Sequence, residues 1–145
     1  MKETGSRMES RRPRLLCYGH DDMLLYTRKL ILDREFSAEI CDQLAKLPEI
    51  LTQGPLDLVV LCQSVPDWEC EAVIELSRAA WPGVKVLTLY ESALGECSAH
   101  VDRTMESLVG PPAFLHEIRA LVAEDSARNA AQLSPVIELH SIRVD

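Results

Sequence analysis

The chain has 145 residues, enough for one domain with a substantial hydrophobic core. Its formal net charge is −8, and residues 15–125 carry eight Lys or Arg against 19 Asp or Glu, a balance of −11. Such an acidic body repels phosphate backbones, which argues against nucleic-acid binding. The sequence contains no membrane-spanning run and no signal peptide, so we expect no membrane contact and a cytoplasmic location.

The cysteines predict no disulfide framework and no metal site. Their number is odd, and no pair has the spacing of zinc ligands. We therefore expect reduced thiols that serve as small apolar residues. The five positions are Cys17, Cys41, Cys62, Cys70 and Cys97.

The first part of the chain predicts an arm, a strand and a helix. Residues 1–13 are polar and basic without periodicity, and we expect them to be disordered. The short apolar run over residues 14–18 predicts the first strand. A helix is predicted over residues 23–34, with Asp21 or Asp22 as its N-cap because a carboxylate accepts from the free amides of the first turn.

The next elements lead to the most apolar stretch of the sequence. Apolar and polar residues alternate over 36–40, which indicates a strand at a sheet edge. Leucines at helical spacing predict a helix over 43–53, which either begins near Pro48 or is kinked there. Residues 56–61 form an apolar run between turn residues, which is typical of a strand covered on both faces.

The second half repeats the alternation of strand and helix. Asp67 is predicted to cap a third helix, whose buried stripe includes Val73, Leu76 and Ala80. The remaining elements are a strand over 84–90, a short helix within 91–100, a weak strand around Thr104 and Met105, a helix over 113–124 and a flexible tail over 125–145.

Alternation of this kind predicts an α/β fold with a parallel sheet and helices on both faces. With five strands, the common doubly wound order is 2-1-3-4-5, the flavodoxin-like arrangement. The first and third strands are then neighbours at the switch point. Any site should lie where they end, around Gly19, His20 and Asp21 on one strand and Cys62 and Gln63 on the other.

The stretch from Asp57 to Pro66 resembles the receiver domains of bacterial response regulators, the CheY-like proteins. Receivers commonly read Asp, four apolar residues, the phosphoacceptor Asp, three residues and then Pro. Asp57 and Pro66 stand at the matching places, and the acceptor position falls on Cys62. The resemblance covers residues 14–124, which we take as one receiver-like domain.

The resemblance implies a phosphoacceptor pocket that this chain lacks in several respects. Receivers hold Mg²⁺ with an acidic pair after the first strand, and they place a Thr or Ser after the fourth strand and a Lys after the fifth. No lysine of this chain falls near the last position. The matching residues are Gly19 and His20, with Asp21 as the adjacent carboxylate, then Cys62, Tyr90 or Thr88, and Ser107 or Gly110.

These departures predict a degenerate receiver, or pseudo-receiver, in two-component signal transduction. It would be no enzyme, would need no cofactor or metal, and would act by protein–protein contact without accepting phosphate. The partner would be a signalling protein such as a histidine kinase or an effector. The resemblance points to Tyr90 and Glu91 as an interface, and Trp68 is a further candidate because Trp is favoured at interaction hot spots.

Three alternatives remain open from the sequence. Cys62 and His20 would form a reactive thiolate pair in a redox sensor or thiol enzyme if they met across the switch point. His20, Asp21 and Cys62 would suit a zinc ion. A small-ligand module of flavodoxin-like shape is the third alternative, although no Gly-rich phosphate loop supports it.

Overall fold

A computed structural model describes residues 12–63, 65–90, 101–107 and 109–124. Five parallel strands form one sheet in the order β2-β1-β3-β4-β5. The strands are β1 (Arg14–Tyr18), β2 (Ser37–Cys41), β3 (Leu58–Leu61), β4 (Lys85–Tyr90) and β5 (Arg103–Glu106). The helices are α1 (Asp22–Leu32), α2 (Leu47–Leu51), α3 (Asp67–Ala80) and α4, whose described part covers residues 111–124.

This topology confirms the predicted α/β architecture and strand order. β2 is at a sheet edge, as its alternating pattern predicts. β3 is in the middle, between β1 and β4, and all four of its side chains are buried. Complete burial of each of these aliphatic side chains contributes about 1.5–3 kcal/mol, so β3 anchors the fold.

Side chains of β3 and of the residue after it alternate between two cores. Val60 and Cys62 belong to the core beneath α1 and α4. Val59 and Leu61 belong to the core beneath α2 and α3. The sheet therefore separates two helical layers, and successive residues at a strand end face different layers.

Asp57 fixes the start of β3 against β1. Its Oδ2 accepts a hydrogen bond from the Arg14 amide at 2.8 Å, and its own amide donates to the Arg14 carbonyl at 2.8 Å. The residue that gives the receiver register at the sequence level therefore has a local structural role, because it aligns the two central strands.

Two residues before the predicted domain boundary, Arg12 and Pro13, contact the described fold. The Arg12 guanidinium donates to the carbonyls of Asp33 and Phe36, at 2.7 and 3.2 Å. The Ser37 amide donates to the Pro13 carbonyl at 3.0 Å. Arg12 and Pro13 thus satisfy backbone groups around the turn between α1 and β2.

Two details of the helix predictions are wrong. The N-cap of α3 is Pro66, whose extended backbone precedes the helix, and Asp67 is already the first helical residue. Leu76 and Ala80 are exposed, and Ser77 takes the predicted place of Leu76 in the buried stripe of α3. The helix begins one residue earlier than a cap at Asp67 implies. Asp67 still places negative charge in the first turn, which the helix dipole favours.

The alternative for Pro48 is decided by the structure. A single 3-10 turn (Leu44–Lys46) is followed by α2, which places Pro48 in the first turn, where its missing amide is no loss. The predicted short helix within 91–100, the tail over 125–145 and residues 1–11 of the predicted arm lie outside the described residues. Within the described part of the chain, no helix has the length and apolarity to cross a membrane.

Candidate functional site

The ends of β1 and β3 meet as the topology predicts. Tyr18 lies opposite Leu61, and the Cys62 amide donates to the Tyr18 carbonyl at 2.9 Å. The Gly19 amide continues the ladder on the other side and donates to the Cys41 carbonyl at 3.1 Å. Gly19 and Cys62 are therefore neighbours at the carboxyl edge of the sheet, where doubly wound folds place their sites.

No side chain fits at position 19 beside Cys62. A Cβ atom placed on Gly19 would lie 2.8 Å from the Cβ of Cys62 and 3.4 Å from its Sγ. Both Cβ positions are fixed by backbone, so the contact cannot be relieved by rotating a side chain. The position at which the resemblance implies an acidic residue requires glycine here.

Asp21 has a structural role at the start of α1. Its Oδ1 accepts from the Leu24 amide at 3.1 Å, and its backbone is extended, as expected of an N-cap. Asp21 is therefore the cap that the sequence assigns to Asp21 or Asp22. Its carboxylate supports the helix and is the one acidic group of the predicted pocket.

Cys62 is buried beneath the guanidinium of Arg28. The Arg28 side chain comes from α1, and its Nη1 donates to Sγ of Cys62 at 3.2 Å. Its Nη2 lies 3.4 Å from Oε1 of Gln63. Arg28 is itself buried, so a positive group occupies the layer next to the position that the resemblance assigns to the phosphoacceptor.

The Cys62 thiol is held in its neutral form. Burial raises its pKa above the ordinary value, and Arg28 opposes this effect only in part. The four described cysteines, Cys17, Cys41, Cys62 and Cys70, are all free and buried, in line with their predicted use as small apolar residues.

His20 does not form the predicted pair with Cys62, because it contacts a carboxylate on the other face of the sheet. Its Nε2 lies 2.9 Å from Oε1 of Glu69, in the first turn of α3. The hydroxyl of Tyr18 donates to the other oxygen, Oε2. Both oxygens of this buried carboxylate thus have a partner, and burial followed by the Glu69 contact raises the pKa of Tyr18.

The positions after β4 and β5 carry hydroxyl and aromatic groups. The Ser107 amide donates to the Tyr90 carbonyl at 2.7 Å, which joins these two positions at the edge. Thr88 is level with Leu61, two residues before Tyr90. The Oγ atoms of Thr88 and Ser107 are buried and have no hydrogen-bond partner within the described residues.

The edge does not fit a metal ion. A hard cation such as Mg²⁺ prefers oxygen ligands, and here Gly19 supplies no side chain, Asp21 caps a helix and Cys62 supplies a buried thiol. Across the described ranges, no group of three His, Cys, Asp or Glu side chains is arranged to hold a metal.

The predicted interface residues differ in exposure. The Trp68 side chain is 65% exposed at the start of α3, and Tyr90 is half-buried. Glu91 lies outside the described residues. The second tryptophan, Trp81, packs against α2 and donates from Nε1 to the Leu51 carbonyl at 2.8 Å.

Sequence reasoning missed Arg28 and Glu69, the two charged side chains that shape this edge. Each lies on the buried stripe of its helix. Arg28 follows Leu25 by three residues and precedes Leu32 by four, and Glu69 precedes Val73 by four. This helical spacing is the signal that identifies both as inward-facing.

Solved structures share the fold of this chain at low sequence identity. A CheY-like response regulator receiver domain from Methanospirillum hungatei JF-1 has a TM-score of 0.67 at 20% identity, covering 81% of this chain and 98% of that one. A response regulator receiver modulated diguanylate cyclase from Pelobacter carbinolicus has 0.67 at 18%, with the same coverage. A response regulator from Thermotoga maritima has 0.61 at 16%, covering 77% and 98%. No family model matches the chain, and no curated protein does.

The chain has the fold of CheY-like response-regulator receiver domains. The resemblance predicted from Asp57 and Pro66 is confirmed at this level. Within that fold, this chain places a glycine, a thiol and a buried arginine at the carboxyl edge of the sheet.

Proposed function

We propose that this chain is a receiver-like signalling domain that acts by contact with another protein and does not accept phosphate. The solved structures with this fold support a response-regulator-like role. The observation that carries the proposal is the buried Cys62 thiol beneath the Arg28 guanidinium, at the position that the resemblance assigns to the phosphoacceptor. A thiol in this form neither attacks phosphorus as a carboxylate does nor helps to hold Mg²⁺.

A phosphorylation assay tests the first half of this proposal. The protein is incubated with acetyl phosphate and Mg²⁺ and followed by intact mass spectrometry, beside a receiver that retains its acceptor aspartate. We expect a phosphoryl adduct on the control receiver and none on this chain. A stable adduct that maps to Asp21 or Asp57 would contradict the proposal.

The contact surface includes Trp68. Its exposed indole lies in the first turn of α3, next to the buried Glu69 and close to the carboxyl edge of the sheet. Exposed tryptophans are frequent anchors of protein interfaces, because they bury a large apolar area at low entropic cost. The partner would be a histidine kinase or an effector, and the chain itself would have no enzymatic activity. The predicted cytoplasmic location stays a prediction.

A pull-down from the native cell tests the contact surface. Trp68→Ala should lose a specific partner that the unaltered chain retains. Leu76→Ala serves as the matched control, since Leu76 is a partly exposed apolar residue of the same helix. Identical capture by the unaltered chain and Trp68→Ala would exclude Trp68 from the interface.

A further inference from the structure

Arg28 is a buried cation with few partners. It is 8% exposed, and within the described residues its guanidinium donates only to Sγ of Cys62 and Oε1 of Gln63. A guanidinium carries five N–H donors and a full positive charge. The thiol is neutral and the carboxamide has no charge, so neither group balances that of Arg28. Burial of an unbalanced charge costs several kcal/mol.

The nearby carboxylates do not supply the missing charge. Asp21 stands at the same edge, but it accepts from the Leu24 amide as the cap of α1. Throughout the described ranges, no carboxylate oxygen lies within the 4.0 Å ion-pair distance of Arg28. Among the described residues, the guanidinium therefore keeps unused donors and has no anion to compensate its charge.

A cavity adjoins this cation. Its volume is about 130 Å³, and it lies between α1, the ends of β4 and β5, and the start of α4. Since a water molecule occupies about 30 Å³, the cavity has room for roughly four water-sized groups. Three of its lining residues, Thr27, Arg28 and Ser107, carry polar side chains, and Ser107 Oγ is a buried hydroxyl with no hydrogen-bond partner among the described residues. Apolar walls come from Leu24, Leu89, Val109 and Phe114.

We propose that this cavity binds a small aliphatic carboxylate. Its oxygens would accept hydrogen bonds from the Arg28 guanidinium and the Ser107 hydroxyl, and its hydrocarbon part would lie against the apolar walls. One negative charge balances one guanidinium. Phosphate carries about −1.5 to −2 at neutral pH, which would leave excess charge in a largely apolar space. Such a site goes beyond the proposed function, because it provides a chemical input other than phosphorylation.

A titration with sodium isobutyrate tests the proposal on the full chain. Binding is followed by NMR through the Arg28 side-chain resonances and the Ser107 amide. We expect saturable shifts, and binding at least about tenfold weaker for isobutyramide, since hydrogen bonds to a charged partner contribute about 1.5–3 kcal/mol. Inorganic phosphate should bind more weakly than isobutyrate.

Variants connect the response to the cavity. Arg28→Met should abolish saturable binding, and Ser107→Ala should weaken it severalfold without affecting the charge. Arg34→Met, at an exposed arginine beyond the end of α1, should bind as the unaltered chain does. The proposal is overturned if isobutyrate gives no saturable shift, if isobutyramide or phosphate binds as tightly, or if the response survives in Arg28→Met. Should Arg28→Met fail to fold, Ser107→Ala and the isobutyramide comparison still decide.

Discussion

Two buried charges stand on opposite faces of the sheet, at the same edge, and their surroundings differ. Glu69 has a donor on each carboxylate oxygen, from Tyr18 and His20. Arg28 has a thiol and a carboxamide, and no anion among the described residues. Both groups are therefore buried and charged. They differ in their partners, because each Glu69 oxygen has a hydrogen-bond donor whereas the Arg28 charge has no anion beside it among the described residues. The paired carboxylate holds α3 to β1, whereas the unbalanced guanidinium is the group with capacity left for a ligand.

The largest effect should follow loss of the satisfied charge. Glu69→Ala leaves the buried Tyr18 hydroxyl without its partner and removes the His20 contact. We expect the free energy of unfolding to fall by about 3 kcal/mol, because hydrogen bonds to charged groups contribute about 1.5–3 kcal/mol each. Urea denaturation measures this. The matched control is Glu75→Ala, an exposed position of the same helix, where the change should stay within about 0.5 kcal/mol. Equal losses would mean that the cluster does not hold the two elements together.

Gly19 lies between Cys62, which contacts Arg28, and His20, which contacts Glu69. A side chain at position 19 should therefore disturb the surroundings of both buried charges. Gly19→Ala places a Cβ 2.8 Å from that of Cys62. Relief requires backbone movement, and we expect a loss of about 2 kcal/mol, in the range of overpacked sites. Gly83→Ala is the control, since an added Cβ at Gly83 meets nothing within 4 Å. Thermal unfolding of the two variants side by side gives the comparison, and similar melting temperatures would argue against a tight contact.

Removal of the unbalanced charge should change the free energy of unfolding in the opposite direction. Arg28→Met removes the buried cation and keeps a long apolar side chain against α1 and the sheet. In the absence of ligand we expect stabilisation by about 1 kcal/mol, because replacement of buried charges by apolar groups of similar volume is often neutral or stabilising. Arg34→Met should change little. A marked destabilisation in urea would show that Arg28 is already compensated.

The smallest effect concerns alkaline pH. The pKa of Tyr18 is raised by burial and by Glu69, so the folded state keeps the proton that an unfolded tyrosine loses near its usual value of 10.0. Unfolding is then favoured as pH rises, and the contribution lost by pH 10 is roughly 0.4 kcal/mol. Stability measured from pH 8 to 11 should fall less steeply in Tyr18→Phe. Tyr26→Phe, at an exposed tyrosine, should follow the unaltered chain; a flattened slope in both would remove Tyr18 as the cause.

The sequence predicts the fold well because apolar patterning determines it. The run at Leu58–Leu61 identifies a central strand, and Asp57 gives its alignment with β1. The site is predicted only in part. Gly19 and Cys62 follow from strand topology, but the orientation of a charged residue depends on which stripe of its helix faces the sheet. In the sequence, Arg28 and Glu69 look like ordinary surface charges until the buried face of each helix has been identified.

The Gly19 contact also limits any attempt to rebuild an acidic pocket in this chain. The clash involves the Cβ of residue 62, an atom present in every side chain except glycine. Cys62→Asp would therefore restore an acceptor carboxylate without making room for an acid at position 19. A side chain added at position 19 overpacks this contact whichever residue other than glycine stands at position 62, so the backbone at the ends of β1 and β3 must move to accept it.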